Sequence, residues 1–268
     1  MFNNIYFPAL IVEYTISVIK RLKHKIQSKD SYTNFSITNL YRMNNEKKTV
    51  VYTCVTGNYD FISSPLLKLP NTDYVLFTDK IINKKSNWII RDIPDFIKEF
   101  SKQDQNRYIK MHPHELFLEE YDYSIYVDGK IHILGDIVPL TNHINRNTGL
   151  ALFKHGFRDN VYDEAEVLIK ANKGNTKKIK SQIESYREEG LPENSGLFEM
   201  AVIVTELSNS FSRKLLDSWW EEYIYRGSMR DQISWPYILW KYALSLNDIG
   251  DLGVNYGDNP KWIAKAHK

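Results

Sequence analysis

Thr49–Asp60 reads TVVYTCVTGNYD. Its first seven residues are mostly β-branched or aromatic, and Gly57-Asn58 is a turn dipeptide, so the stretch predicts a strand over Thr49–Val55 running into a tight loop. Working outward, the same signature recurs at Tyr74–Thr78 (YVLFT), Trp88–Arg91 (WIIR) and Tyr123–Val127 (YSIYV), each bounded by Asp, Asn or Pro. Phe100–His112 has helical character, and Leu150–Phe153 and Leu197–Thr205 read as further strands. After Asp159 the pattern is mostly helical: Tyr162–Ala171, Thr176–Glu188, Ser210–Tyr225 and Asp231–Leu244. Strands alternating with helices argue for an α/β sheet with helices on its faces and a helical C-terminal half. No internal repeat interrupts the pattern and the connections are short. One domain over residues 48–268, after an extension and polar linker at 1–47, fits best.

Composition narrows the function classes. The chain has 268 residues, with 35 basic against 33 acidic side chains and a net charge of +2. That balance argues against nucleic acid as a partner, which calls for a basic stripe. A hydrophobic content of 43% argues against disorder. The lone cysteine, Cys54, can form neither an internal disulfide nor a multi-cysteine zinc site. The charge is uneven: residues 1–48 hold eight Lys/Arg against three Asp/Glu, leaving the rest of the +2 chain net negative by three. Within the arm, the apolar run Ile5–Ile19 is too short and too interrupted, by Pro8 and Glu13, to span a bilayer. The basic cluster Lys20, Arg21, Lys23 and Lys25 follows it. Residues 5–25 are therefore expected either to pack on the domain or to contact an anionic membrane peripherally. The expected location is the cytoplasm, at the inner face of the membrane.

In an open α/β sheet, ligands bind beyond the carboxyl ends of the strands. The first strand is followed by Thr56-Gly57-Asn58-Tyr59-Asp60, the second by Asp79 and the central one by Asp128-Gly129-Lys130. These three polar ends meet on one edge if the strands are parallel. Arg107 and Lys110, three apart on a helix, share a face and could hold a diphosphate. His112-Pro113-His114 lacks the further ligands a tetrahedral metal site needs and reads as structural. Asp231-Gln232 opens a helix, either as capping chemistry or facing a pocket.

Arg107–Ile131 (RYIKMHPHELFLEEYDYSIYVDGKI) resembles the signature of the glycosyltransferase-like family formerly called domain of unknown function 616. Further matches follow in the family's order: Val51–Asp60, Tyr74–Asp79, Phe153–Arg158 (FKHGFR), Tyr162–Ala165, Tyr186–Glu199, Trp219-Trp220 and Arg230–Lys241. The resemblance implies a GT-A-like nucleotide-sugar transferase with a mixed, mostly parallel sheet flanked by helices. It implies a hexose-type donor linked to UDP or GDP, a glycan or lipid-linked acceptor, and a role in cell-surface polysaccharide synthesis. Such enzymes carry a D-x-D motif for a divalent metal, Mn²⁺ or Mg²⁺; here Lys130 stands where the second acid is expected, which puts the metal in question. Asp128 and a late histidine, His267, are the implied metal ligands.

On that reading Thr53, Gly57, Asn58, Tyr59, Asp60 and Asp79 take the base and ribose. Arg107, Lys110, Asp128, Gly129, Lys130 and His155 surround the diphosphate and sugar, and Asp231, Gln232 and Glu199 are the catalytic candidates. An inverting enzyme needs a carboxylate as general base, for which Asp231 and Glu199 are the choices; a retaining one needs none, and the sequence allows both. Two other functions stay open: a hydrolase with paired carboxylates such as Asp128 and Asp231, and a non-catalytic carbohydrate-binding protein of the same fold.

Overall fold

All seven residues of β1 (Thr49–Val55) are buried, because the strand sits in the interior of a sheet. The structure, a computed structural model, describes residues 47–82 and 85–266. The apolar and basic segment at 5–25, most of the expected 1–47 extension, and His267 lie outside the described residues.

Around β1 stand β2 (Thr72–Thr78), β3 (Ile89–Arg91), β4 (Tyr123–Val127), β6 (Leu150–Lys154), β7 (Phe198–Glu206) and β8 (Gly250–Val254). Their order is β3-β2-β1-β4-β7-β6-β8. β1 pairs in parallel with both β2 and β4, β2 with β3, and β6 with β8; β7 alone runs antiparallel, between β4 and β6. This is the mixed, mostly parallel sheet expected. Alternation along β1 sends Val50, Tyr52 and Cys54 into one core and Val51 and Val55 into the other.

The helices are α1 (Lys102–Met111), α2 (Pro113–Phe117), α3 (Val161–Lys170), α4 (Thr176–Glu189), α5 (Ser210–Arg226) and α6 (Asp231–Lys241). Each contributes to the first core, with Ile109, Phe117, Leu168, Ile179, Trp219 and Ile233 among its members. The second core is closed by Trp88, Ile137 and the two-stranded ribbon of β5 (Ile131–Ile133) and β9 (Trp262–Ala264). Ser101, Asn160, Asn175 and Asn209 cap α1, α3, α4 and α5 with side-chain oxygens, as short polar side chains do where backbone N–H groups lack partners.

Most predicted elements stand within two residues of their expected limits. The helix expected over Phe100–His112 divides into α1 and α2, since Pro113 has no N–H to continue the ladder. β5, β8 and β9 escape the sequence pattern. Two of them are three residues long, and β8 (GDLGV) carries two glycines, so none shows a period of two.

Candidate active site

Because β1, β2 and β4 are parallel, the three polar strand ends do meet on one edge. The β1 and β4 ends border a cleft of about 710 Å³, lined also by α1, the start of β7, the start of α6 and Tyr256.

The β1 end is fixed from both sides. Thr78 Oγ1 donates to the carbonyl of Val55 at 2.7 Å, and Thr56 Oγ1 to the carbonyl of Lys102 at 2.7 Å. Gly57, at φ 61°, turns its N–H onto the Asp79 carboxylate at 3.1 Å, and Lys102 Nζ closes on the same carboxylate at 3.1 Å. A side chain at Gly57 would be strained by that φ and would press on Lys102. Tyr59, 64% exposed, stands at the rim.

The floor is built by α1 and α6. Lys110 Nζ lies 2.6 Å from Asp231 Oδ2, with the two side chains 3% and 6% exposed. Arg107 Nε lies 3.0 Å from Asp231 Oδ1, but its N–H is not aimed at that oxygen, so the contact is Coulombic and not a hydrogen bond. The Lys110 ammonium also faces the rings of Tyr126 and Trp219 at 5.3 and 5.5 Å. Trp219 Nε1 donates to the carbonyl of Asp231 at 2.8 Å and so anchors the first residue of α6. Burial would raise the Asp231 carboxyl, yet Arg107 and Lys110 outweigh it and hold the group well below the usual carboxylate range. Burial lowers the Lys110 ammonium, opposed by Asp231. Stability does not explain this cluster. Drying each ion costs several kcal/mol, while attraction at about 4 Å returns roughly 4 kcal/mol at the effective dielectric of such sites.

Across the cleft, Glu199 on β7 has the opposite environment. Burial and the neighbouring Glu164 push its carboxyl up to about 7. Behind it, His155 Nε2 lies 3.6 Å from Glu199 Oε1, and His155 Nδ1 accepts the backbone N–H groups of Phe157 and Arg158 at 3.1 and 3.0 Å. Burial and Arg158 lower the His155 pKa, so the ring is neutral at neutral pH. Arg158 is itself held by Glu164 at 2.5 Å.

Residues 20–248 match the family model of the TOD1/MUCI70 glycosyltransferase-like domain. The chain belongs to the TOD1/MUCI70 family. No curated protein matches it. Among solved structures it is similar to the apo WbbM bifunctional glycosyltransferase, at 13% identity and a TM-score of 0.41 over 73% of this chain and 38% of that one. The apo form of mouse xyloside xylosyltransferase 1 matches at 12% identity and a TM-score of 0.41, over 74% of this chain and 82% of that one. The galactosyltransferase LgtC, solved with donor and acceptor sugar analogues, matches at 12% identity and a TM-score of 0.41, over 77% and 73%. The chain thus spans well under half of WbbM.

In this TOD1/MUCI70 domain the cleft gathers Gly57, Tyr59, Asp60, Arg107, Lys110, Asp128, Gly129, Lys130, Glu199, Asp231 and Gln232, all expected at the site from sequence. Asp79 supports the rim through Gly57 and Lys102, and Asn58 accepts from Lys80 Nζ at 2.7 Å beside it. Three expectations, at Thr53, Asp231 and His155, need correction. Thr53 lies buried inside β1 and does not line the cleft, because the strand continues two residues further before it turns. Asp231 is too weak a base for the acceptor's proton, since Arg107 and Lys110 hold its carboxyl well below the usual range and occupy its oxygens. Gln232 spends its amide N–H on the carbonyl of Phe198 at 2.8 Å, tying α6 to β7. His155 stands behind Glu199 and not in the cleft wall.

Sequence reasoning missed Lys102, Asn106, Arg230 and Tyr256. Asn106 had a signal: it precedes Arg107 on α1, and its amide donates to the carbonyl of Cys54 at 2.5 Å, at the end of β1. Tyr256 had none, as it arrives from a loop between two strands that carry no period.

The described residues at the end of β4 do not reproduce the two-acid motif of the implied divalent metal, and His267 lies outside them. Among the described residues no group of three or more His, Cys, Asp or Glu side chains is placed to hold one. The end of β4 supplies a single carboxylate, Asp128, which accepts from the Tyr126 hydroxyl at 3.2 Å. The next position is closed to a side chain, because a Cβ on Gly129 would fall 2.5 Å from Val55 Cγ2. The one after it carries Lys130.

Proposed function

We propose that this cleft moves a hexose-type sugar from a UDP- or GDP-linked donor to a glycan or lipid-linked acceptor. The observation that carries the reading is the floor: two cations, Arg107 and Lys110, against one carboxylate, Asp231. Both cations are largely buried, in a cleft whose lining carries six Lys/Arg against four Asp/Glu side chains. A leaving diphosphate gains negative charge as the glycosidic bond breaks, so cations already in place stabilise the transition state more than the ground state. Each such contact is worth about 3–4 kcal/mol of barrier. The rim at Gly57, Tyr59 and Asp60 would seat the base and ribose.

Glu199 is the general base in this account. A carboxyl titrating near the working pH can take the acceptor's hydroxyl proton, whereas Asp231 cannot. The same contrast weighs against a hydrolase that pairs Asp128 with Asp231. A role in cell-surface polysaccharide synthesis, at the inner face of a membrane reached through residues 5–25, fits the basic surplus of the N-terminal arm.

A thermal-shift screen of nucleoside mono- and diphosphates tests the reading. UDP or GDP is expected to raise the melting temperature and the monophosphates to raise it less, since a ligand that binds only the folded state stabilises it. No shift with any nucleotide would overturn it.

A further inference from the structure

The turn after β4 is built to hold a charge in one place. Asp128 N–H donates to the carbonyl of Ala201 at 2.8 Å, and Ile131 N–H to the carbonyl of Asp128 at 2.9 Å. The carbonyl of Lys130 accepts from Lys265 N–H at 3.0 Å, where the β5–β9 ribbon begins. Backbone on both sides of Lys130 is therefore locked, and its side chain lines the cleft with Asp128, Gly129, Glu199 and Tyr256.

The surroundings of Lys130 are acidic. Its ammonium lies 5.5 Å from the centre of the Tyr256 ring. Asp60, packed against Gly129, and Asp128 both act on it electrostatically, and it acts in turn on Glu199. A lysine side chain is cationic at neutral pH, so this locked turn presents a positive charge to the cleft. One fixed cation thus stands at the end of a central strand, two residues after Asp128, at the position where the second acid of a metal-binding pair is expected.

We infer that the Lys130 ammonium takes the place of a divalent metal, so that this cleft binds the donor's diphosphate on protein cations alone. The inference rests on the nucleotide-sugar reading and adds to it a metal-free mode of binding. It also explains why a single carboxylate suffices after β4: with no metal to hold, Asp128 serves as the counter-charge beside Lys130. An ammonium suits this task as a point charge with three donors. The further cations at the floor share the load, since Lys130, Arg107 and Lys110 all line one cleft.

The experiment is calorimetric titration of the full chain with UDP and with GDP, in excess EDTA and in excess Mn²⁺. The wild type is expected to bind one of them with the same Kd, within about twofold, in both buffers. Lys130→Met should weaken that binding by about tenfold or more, as loss of a charged hydrogen-bonding partner does, and Lys130→Arg should retain most of it. Lys130→Asp, which restores an acid two residues after Asp128, should bind poorly in EDTA and recover in Mn²⁺. Far-ultraviolet dichroism confirms that each variant is folded. Wild-type binding that vanishes in EDTA and returns with Mn²⁺ would overturn the metal-free mode while leaving the nucleotide reading intact. So would full affinity in a folded Lys130→Met variant. Absence of nucleotide binding in both buffers would overturn the nucleotide reading itself, and this inference with it.

Discussion

Asp231 and Glu199 face the same cleft, yet their surroundings drive them apart. Asp231 is set between Arg107 and Lys110 and stays ionised far below neutral pH; Glu199, beside Glu164 and burial, is pushed up to about 7. On the proposed function two carboxylates on one cleft take two roles, the pattern by which a site separates a fixed counter-charge from a proton acceptor. The lesson is that residue type and strand-end position select candidates, while the charges around them assign the work.

The largest effect should follow from removing the fixed charge. Asp231→Ala leaves two cations without their partner, one of them almost fully buried, and is expected to cost about 3–5 kcal/mol of stability, read from urea unfolding. An unchanged midpoint would mean that the floor is hydrated and the contrast with Glu199 overstated.

Glu199→Gln should keep the fold and nucleotide affinity and lower turnover by about 10²–10⁴-fold, the usual worth of a general base. Equal turnover would remove Glu199 from the chemistry.

The pH dependence follows with opposite signs for the two groups. As the base must be ionised, the rate should rise with pH through about 7. For stability, a carboxyl whose folded pKa is raised binds more protons folded than unfolded between about 4.5 and about 7. The contribution of Glu199 is thus greatest below that window and declines across it. Asp231, depressed, contributes fully above the ordinary carboxylate range and loses that contribution only in acid. Glu199→Gln should flatten the near-neutral slope of unfolding free energy against pH; a slope identical to wild type would place its proton elsewhere.

The smallest change is expected at the rim. Asp79→Ala breaks a half-exposed pair with Lys102 and should alter stability by no more than about 1 kcal/mol, while weakening nucleotide binding through the released Gly57 turn. A larger stability loss would show that the rim carries structure and not recognition.

The sheet was legible because its central strands are long and apolar enough to stand out. TVVYTCV and YSIYV mark β1 and β4 to the residue. Strand-end logic then named Gly57, Asp60 and Asp128, since parallel pairing brings those ends together, while Glu199, at the start of the antiparallel β7, came from the family resemblance. What stayed hidden needed tertiary contact. Nothing in the spacing of Arg107, Lys110 and Asp231 says that a carboxylate 121 residues along the chain from Lys110 closes on its ammonium. The pairing turns a candidate base into a counter-charge. The proximity of His155 and Glu164 to Glu199 is equally invisible, because it depends on β6 and α3 meeting at the start of β7. Thr53 shows the reverse error: a polar residue of an apolar, β-branched motif that the strand keeps in its interior.

The central claim is that the Arg107–Lys110–Asp231 floor receives a leaving diphosphate. It is tested most directly by measuring nucleoside diphosphate released from a panel of UDP- and GDP-sugars by the wild type and by Lys110→Met. The expected result is release from at least one donor by the wild type, reduced about 10²–10³-fold in a folded Lys110→Met variant. Release at the wild-type rate by that variant, or no release from any donor by the wild type, would contradict it.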